Sequence, residues 1–470
     1  VVLAGQKVRE GIDDAAFLNA ARGVCARGPA VALVSGGNLD CARHGILAWD
    51  PLLILRAKER VCSLERGGGS MAWLGDPLEA IDEVIEATRP AGGQGCSLDG
   101  GLDEMLAEGL PFAGGLVGYA AYELKNQIER LPQSALDDLG LPEMFWLMPG
   151  QVLIHQRREK RAVHLRLAWE GQPPGPAAPL DFASAPLPAR LRVGPLSSGF
   201  SHEGYLRALA RVRAYIRAGD VYQVNLSQRF SFDLEGEPFA LWERLLAVNP
   251  APFYAYVNAG DHQALSTSME RFLYRRGAYL ETRPIKGTRP RGRTAAEDEA
   301  LKRDLAQSPK DDAELSMIVD LMRNDLGRVC RAGSVAVAEH KRVESYQNVH
   351  HLVSVVSGEL GPGVGPGRLL RAAFPGGSIT GCPRIRAMEI IDELEPCVRH
   401  VYTGAIGYLG WGANLDLNVA IRTAIHQGGR CHFSVGGGVV HDSVDEDEYQ
   451  ETLHKARTLT ELLKGLEGLA

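Results

Sequence analysis

Residues 201–230 read SHEGYLRALARVRAYIRAGDVYQVNLSQRF, and two periodicities meet in them. Tyr205, Leu209, Val212 and Ile216 recur at helical spacing, Ser201 supplies an N-cap oxygen, and Gly219 marks a helix stop. From Val221 to Phe230 the pattern alternates instead. Tyr222, Val224 and Leu226 fall on one face of a strand, and Gln223, Asn225 and Ser227 on the other. A strand with an amide-bearing face belongs either to a solvated edge or to the wall of a pocket. A capped helix running into such a strand sets the expectation of a mixed α and β chain.

Working toward the N-terminus, residues 30–35, 46–55, 116–122, 148–155 and 162–169 are short apolar runs between Gly and Pro turns and read as strands. Asp76-Pro77, followed by Leu78, Ile81 and Ile85, reads as a capped helix. Strands outnumber helices and do not alternate with them. The expected class is therefore α+β with antiparallel sheets rather than a doubly wound parallel sheet. Gly171 to Arg190 carries six prolines among Ala, Gln and Ser and reads as a linker. The expected organisation is an N-terminal lobe at 1–170, a Pro-rich linker at 171–199, and a catalytic domain at 200–470.

The chain has 470 residues, with 45% hydrophobic and 23% charged residues, which allows a sizeable core. Its net charge is −7 with no basic stripe, so no nucleic-acid partner is expected. No apolar run reaches the ~18 residues that span a bilayer, and residues 1–7 lack a signal layout; neither membrane nor secretion is expected. The eight cysteines form no C-x-x-C pair and read as reduced thiols of a cytoplasmic protein, without a zinc pattern.

Pro284-Ile285-Lys286-Gly287-Thr288-Arg289 places a lysine between a residue of fixed φ and one without a Cβ. It is either a turn lysine or an amine nucleophile, and the second role needs a desolvated or cation-rich site. Glu448, Glu451 and Lys455 stand at i, i+3 and i+7, on one helix face, just after Gly436-Gly437-Gly438. That face is either solvated ion pairs or one wall of an anion site. Asp311-Asp312-Ala313-Glu314 opens another helix. Glu314 either complements the helix N-terminus or contributes, with a carboxylate from a distant helix, to a hard-cation site. Arg422 lies within 418–426, which reads as an alternating strand of small and apolar residues. A guanidinium there needs a partner, either an internal carboxylate or one on a substrate. Residues 402–408, YTGAIGY, read as a glycine-rich strand approached closely by a ligand or another backbone. His350-His351 precedes an apolar run and is either core or catalytic. Residues 361–367, GPGVGPG, read as a loop because the prolines block a dinucleotide fingerprint. No Ser/His/Asp set, Walker loop or glutamine-amidotransferase nucleophile motif is present. Together the constellations suit a small, multiply anionic substrate, Mg²⁺ and an unusual lysine.

Several stretches, in order, resemble the chorismate-utilising enzymes: GDVYQVN at 219–225, PIKGTRPR at 284–291, IVDLMRNDL at 318–326, GSITG at 377–381 and AIRT at 420–423, with 402–410 and 436–452. The likeness is strong over residues 200–460 and weaker over the first 165. It implies a two-lobed fold of large antiparallel sheets flanked by helices. It implies Glu314 and Glu451 as Mg²⁺ ligands gripping the ring carboxylate, with Lys455 nearby. Arg422, Tyr402 and the backbone at Gly437 and Gly438 then meet the enolpyruvyl carboxylate, and Gln223, Gly287 and Ser378 complete the substrate site. Glu270 protonates the departing hydroxyl, with His351 and Thr288 beside it, and Lys286 attacks the ring. Anthranilate-forming members usually carry alanine at the position of Lys286, and isochorismate-forming members a lysine at that of Gln223. The pair found here implies amination at C4. One departure is Ser268-Met269-Glu270, where the family usually has Ser-Pro-Glu. Ammonia is expected from a separate glutamine amidotransferase subunit. Anthranilate formation and a non-catalytic chorismate-binding subunit are the competing readings.

Overall fold

The structure, a computed structural model, describes residues 1–90, 109–176, 179–183 and 191–467. Its strands join antiparallel into one hydrogen-bonded network, and helices cover the faces. The strands His44–Lys58 and Met144–Gln156 run side by side for most of their length. The helix Asp14–Cys25 packs over them, capped by the Asp13 carboxylate on the Ala16 amide. Phe17 of that helix fills the space beside Gly45, where an added Cβ would come within 2.8 Å of its ring. The helix Pro77–Thr88 starts at Asp76 as its sequence signals, and its Asp82 accepts from the amide of Gly367 at 2.7 Å.

Pairing continues between the early and late parts of the chain. Gly115–Ala120 pairs with Ala405–Gly410, and Ala30–Val34 with Phe253–Asn258. The Pro-rich stretch is partly described. Leu180 and Phe182 lean on a core cluster, and Val193 and Ser197 pair with the strand Gln223–Glu235. Residues 177–178 and 184–190 of that stretch lie outside the described residues.

The helix His202–Ala218 begins where Ser201 accepts from the Gly204 amide and ends at Gly219, whose φ is 83°. The strand that follows starts at Gln223 and pairs with Arg430–Val439. Tyr222 does not share a buried face with Val224 and Leu226. It precedes the first ladder pair, Gln223 with Cys382, and stands 72% exposed. The amide face is no solvated edge, since Gln223, Asn225 and Ser227 are all buried.

Three further expectations change. Residues 418–426 are not one strand. Asn414–Val419 ends and Thr423–Gln427 begins on either side of Arg422, which adopts a φ of 49°. Residues 402–404 form a turn before the strand Ala405–Gly410, so Tyr402 lies outside the strand. The glycines there admit backbone rather than ligand: a Cβ on Gly404 would lie 2.2 Å from the Ala120 oxygen, and one on Gly407 1.9 Å from the Asp416 oxygen. Finally, the loop at 361–367 gives way to a helix, Pro366–Ala373, because proline is well suited to a first helical turn.

Candidate active site

The strand Ile285–Pro290 pairs with Val349–Glu359, and its register shifts between Lys286 and Thr288. The extra residue is Gly287, with φ of 70° and no room for a Cβ beside Leu305 and Asp311. A bulge of this kind re-aims its neighbours. Lys286 points into a cavity of roughly 910 Å³. Burial holds its ammonium pKa below the usual lysine value, against the opposing pull of Glu314, Glu270 and Glu451. The shift is in the direction that favours the free amine.

Across the ladder, His351 has Nδ1 at 3.1 Å from the Thr288 hydroxyl and 3.3 Å from the Gly287 carbonyl. Burial, aided by the Arg422 charge, pushes its pKa down to about 4, so the ring is neutral at pH 7. Donation from Nδ1 to Gly287 leaves Nε2 as an acceptor, and that atom is buried with no partner among the described residues. His350 instead is core: its ring bridges Ser345 and Asp298 at 2.9 Å each.

Glu270 sits between the strands Gln263–Ser268 and Arg271–Arg276. Its amide donates to Ser268 Oγ and its carbonyl accepts from the Val419 amide, which fixes the backbone. Met269, in the place of the usual proline, is buried in the core. Burial raises the Glu270 carboxyl to about 7. Ser378 donates to its Oε1 at 2.6 Å.

Arg422 is held by its backbone, whose carbonyl accepts from the Thr267 amide and hydroxyl at 3.1 and 2.9 Å. Burial lowers the pKa of its guanidinium, and no described residue gives it a hydrogen bond or an ion pair. An unpaired buried cation is costly, so this one calls for an anion. Tyr402 is buried and lines the same cavity.

The opposite wall is the strand Arg430–Val439 and the helix Asp445–Glu467. Gly438 lines the cavity as bare backbone. A Cβ there would lie 2.0 Å from Gln223 Nε2 and 3.5 Å from Lys286 Nζ. Gln223 thus lies on the same side of this strand as Lys286, although it is not among the residues lining the cavity, and its Oε1 is buried and unpartnered among the described residues. Gly437 faces the helix carboxylates, Glu448 at 3.1 Å from a would-be Cβ and Glu451 at 3.7 Å. Lys455 Nζ binds Glu451 at 2.7 Å and the Gly436 carbonyl at 2.9 Å.

Glu314 enters from the helix Pro309–Gly327, capped by Ser308, with Lys310 Nζ at 4.0 Å. Among the described residues no group of three His, Cys, Asp or Glu closes into a metal cage. The donors nonetheless suit Mg²⁺, which takes one or two protein carboxylates and fills its shell with substrate oxygens and water. Glu314, Glu448 and Glu451 share the cavity, and burial together with the charge of Glu451 raises the Glu448 carboxyl. Against the effect of burial, Lys455 and Lys310 hold the Glu451 carboxyl below its usual value, so within this group it is Glu448 that lacks a cation.

Of the residues singled out in the sequence, the cavity gathers Lys286, Gly287, Thr288, Glu270, Glu314, His351, Ser378, Tyr402, Arg422, Gly438, Glu451 and Lys455. Asn225, Lys310, Glu448 and His454 also line it and were not assigned to the site. The helical spacing of Glu448 to Glu451 carried a signal for the first of those carboxylates; nothing in the local sequence marked Lys310.

Comparison with known proteins places this geometry. The family described as chorismate binding enzyme matches residues 54–461. Aminodeoxychorismate synthase component 1 of Bacillus subtilis is 36% identical over 433 residues, covering 90% of this chain and 89% of that protein. Anthranilate synthase component 1 of Thermus thermophilus is 42% identical over 370 residues, covering 76% of this chain and 79% of that protein. The crystal structure of anthranilate synthase component I from Streptococcus pneumoniae superposes with a TM-score of 0.75 at 31% identity, covering 90% of this chain and 93% of that one. The chain belongs to the chorismate-binding enzyme family, with that family's α+β fold of antiparallel sheet flanked by helices. It is an enzyme that acts on chorismate. Overall identity does not separate the two aminating chemistries, so the choice between them falls to individual residues.

Proposed function

We propose that this chain aminates chorismate at C4, giving 4-amino-4-deoxychorismate, as component 1 of an aminodeoxychorismate synthase in para-aminobenzoate and folate biosynthesis. The observation that carries the reading is Lys286: an amine in a cavity that also holds Glu270, Arg422 and the Glu314/Glu451 carboxylates, with a pKa lowered by burial.

Arg422 and Tyr402 take the enolpyruvyl carboxylate. A Mg²⁺ ion held by Glu314 and Glu451 would supply positive charge for the ring carboxylate. The Lys286 amine attacks C2, the two ring double bonds shift, and the C4–O bond breaks. Glu270 gives its proton to the departing hydroxyl, which leaves as water. Ammonia then attacks C4, the double bonds return, and the C2–N bond breaks to free Lys286. The product ammonium passes a proton back to Glu270. Two steps replace one crowded displacement. A carboxyl near pH 7 is well matched to this donor role.

Ammonia comes from a separate glutamine amidotransferase subunit, so the isolated chain is expected to use ammonium and not glutamine. The rival reading is anthranilate formation, favoured by the similar identity to proteins of that name. Product analysis decides. Chorismate, Mg²⁺ and ammonium should yield an amine that keeps its enolpyruvyl group; anthranilate with pyruvate would overturn the reading.

A further inference from the structure

Ser378 touches the proton donor, and its surroundings fix where its hydroxyl points. Gly377 before it has no room for a side chain, since a Cβ would meet Leu321 at 2.4 Å. Ile379 after it gives its carbonyl to Arg399 Nη1 at 2.9 Å. Thr380 binds back to Gly376, and its carbonyl accepts from the Asn225 amide at 2.8 Å. The turn is pinned on every side, and the Ser378 hydroxyl ends 2.6 Å from Glu270 Oε1.

We propose that Ser378 is a positioning residue for proton transfer: by donating to Oε1 it keeps the acidic proton of Glu270 on Oε2, facing the reacting ring. When the Oε2–H bond breaks and the proton moves to the departing hydroxyl, the same Ser378 donor stabilises the carboxylate that remains. The titratable groups facing Glu270 are Lys286, on the strand Ile285–Pro290 whose Ile285 backbone N–H also favours the carboxylate, and Tyr346, whose hydroxyl reaches the Met269 carbonyl at 3.4 Å. His351 packs edge-on against Tyr346 and is neutral. Arg271, next along the chain, turns away to Asp416 and Glu281. This inference rests on Glu270 as the proton donor in the proposed reaction.

The test uses chorismate and ammonium with the full chain. Ser378→Ala should lower kcat about tenfold, a fraction of what a general acid contributes. KM should stay within about twofold, since the contact strengthens only in the transition state. The alkaline limb of the kcat profile should move to higher pH, because the lost donor favoured the carboxylate, and Ser378→Thr should restore both. In a Glu270→Gln background, Ser378→Ala should cost nothing further. A raised KM with an unmoved pH limb would assign the hydroxyl to substrate and overturn the proposal, as would an undiminished loss in the Glu270→Gln background. Should Ser378→Ala not fold, Ser378→Cys, a near-isostere with a weaker donor, carries the same pH readout. Product identity, read in the same assays, tests the C4 reading separately.

Discussion

Two arginines stand within one active-site neighbourhood, Arg399 buried and Arg422 half-buried, and are treated in opposite ways. The Arg399 guanidinium makes five hydrogen bonds: two to Glu395, and one each to the carbonyls of Ile379 and Asn225 and to Thr403. Glu395 in turn accepts from the amide and hydroxyl of Ser227. The Arg422 guanidinium, at the cavity and only partly shielded from solvent, has no described hydrogen-bond or ion-pair partner. The first charge is scaffold, joining the strand of Asn225 to the turn of Ser378. The second is left open for a ligand. What marks Arg422 as a binding arginine is therefore the lack of compensation, since an unpaired charge held away from water is costly.

The comparison can be broken by substitution. Arg399→Met strands Glu395 as an uncompensated buried carboxylate. It should destabilise the protein by about 3–5 kcal/mol, read as a large fall in denaturation midpoint. Arg422→Met should do the reverse: no loss of thermal stability, and chorismate binding weaker by roughly 10²-fold from the loss of a charge-assisted contact. Equal stability losses in the two variants would mean that Arg422 is structural.

Glu270 sharpens the same point at a smaller scale. Its folded pKa, about 7, lies above the ordinary 4.5, so between those values the native state binds more protons than the unfolded chain. Stability then falls as pH rises through that window. Glu270→Gln should therefore raise stability at pH 8 by about 1–3 kcal/mol and change little at pH 4, while abolishing proton donation. Urea titrations at the two pH values check it; a stabilisation of equal size at both would point to packing instead.

Much of this architecture could be read from local sequence. Asp76 and Ser201 each cap the helix that their positions announce. The PIKGTR stretch forms the bulged strand that carries Lys286. What local sequence did not carry were contacts set by distant partners. Tyr222 fits the alternation yet lies outside the ladder, because strand pairing, not periodicity, decides where a strand begins. Arg422 breaks a run that looks continuous, because its carbonyl is claimed by Thr267, 155 residues away. The partner of Ser378 is 108 residues distant, and no spacing rule reaches that far. Gly404 and Gly407 signalled close approach correctly but not of what: two backbones meet there, whereas at Gly438 the bare backbone faces the cavity.

The central claim is that Lys286 is a nucleophile and not a binding charge. Intact-protein and peptide mass spectrometry after incubation with chorismate and Mg²⁺, before ammonium is added, tests it most directly. A chorismate adduct less one water, mapping to the peptide with Lys286 and absent from Lys286→Ala, is the expected result. Unmodified protein that goes on to aminate C4 when ammonium is supplied, with Lys286→Ala equally active, would contradict it.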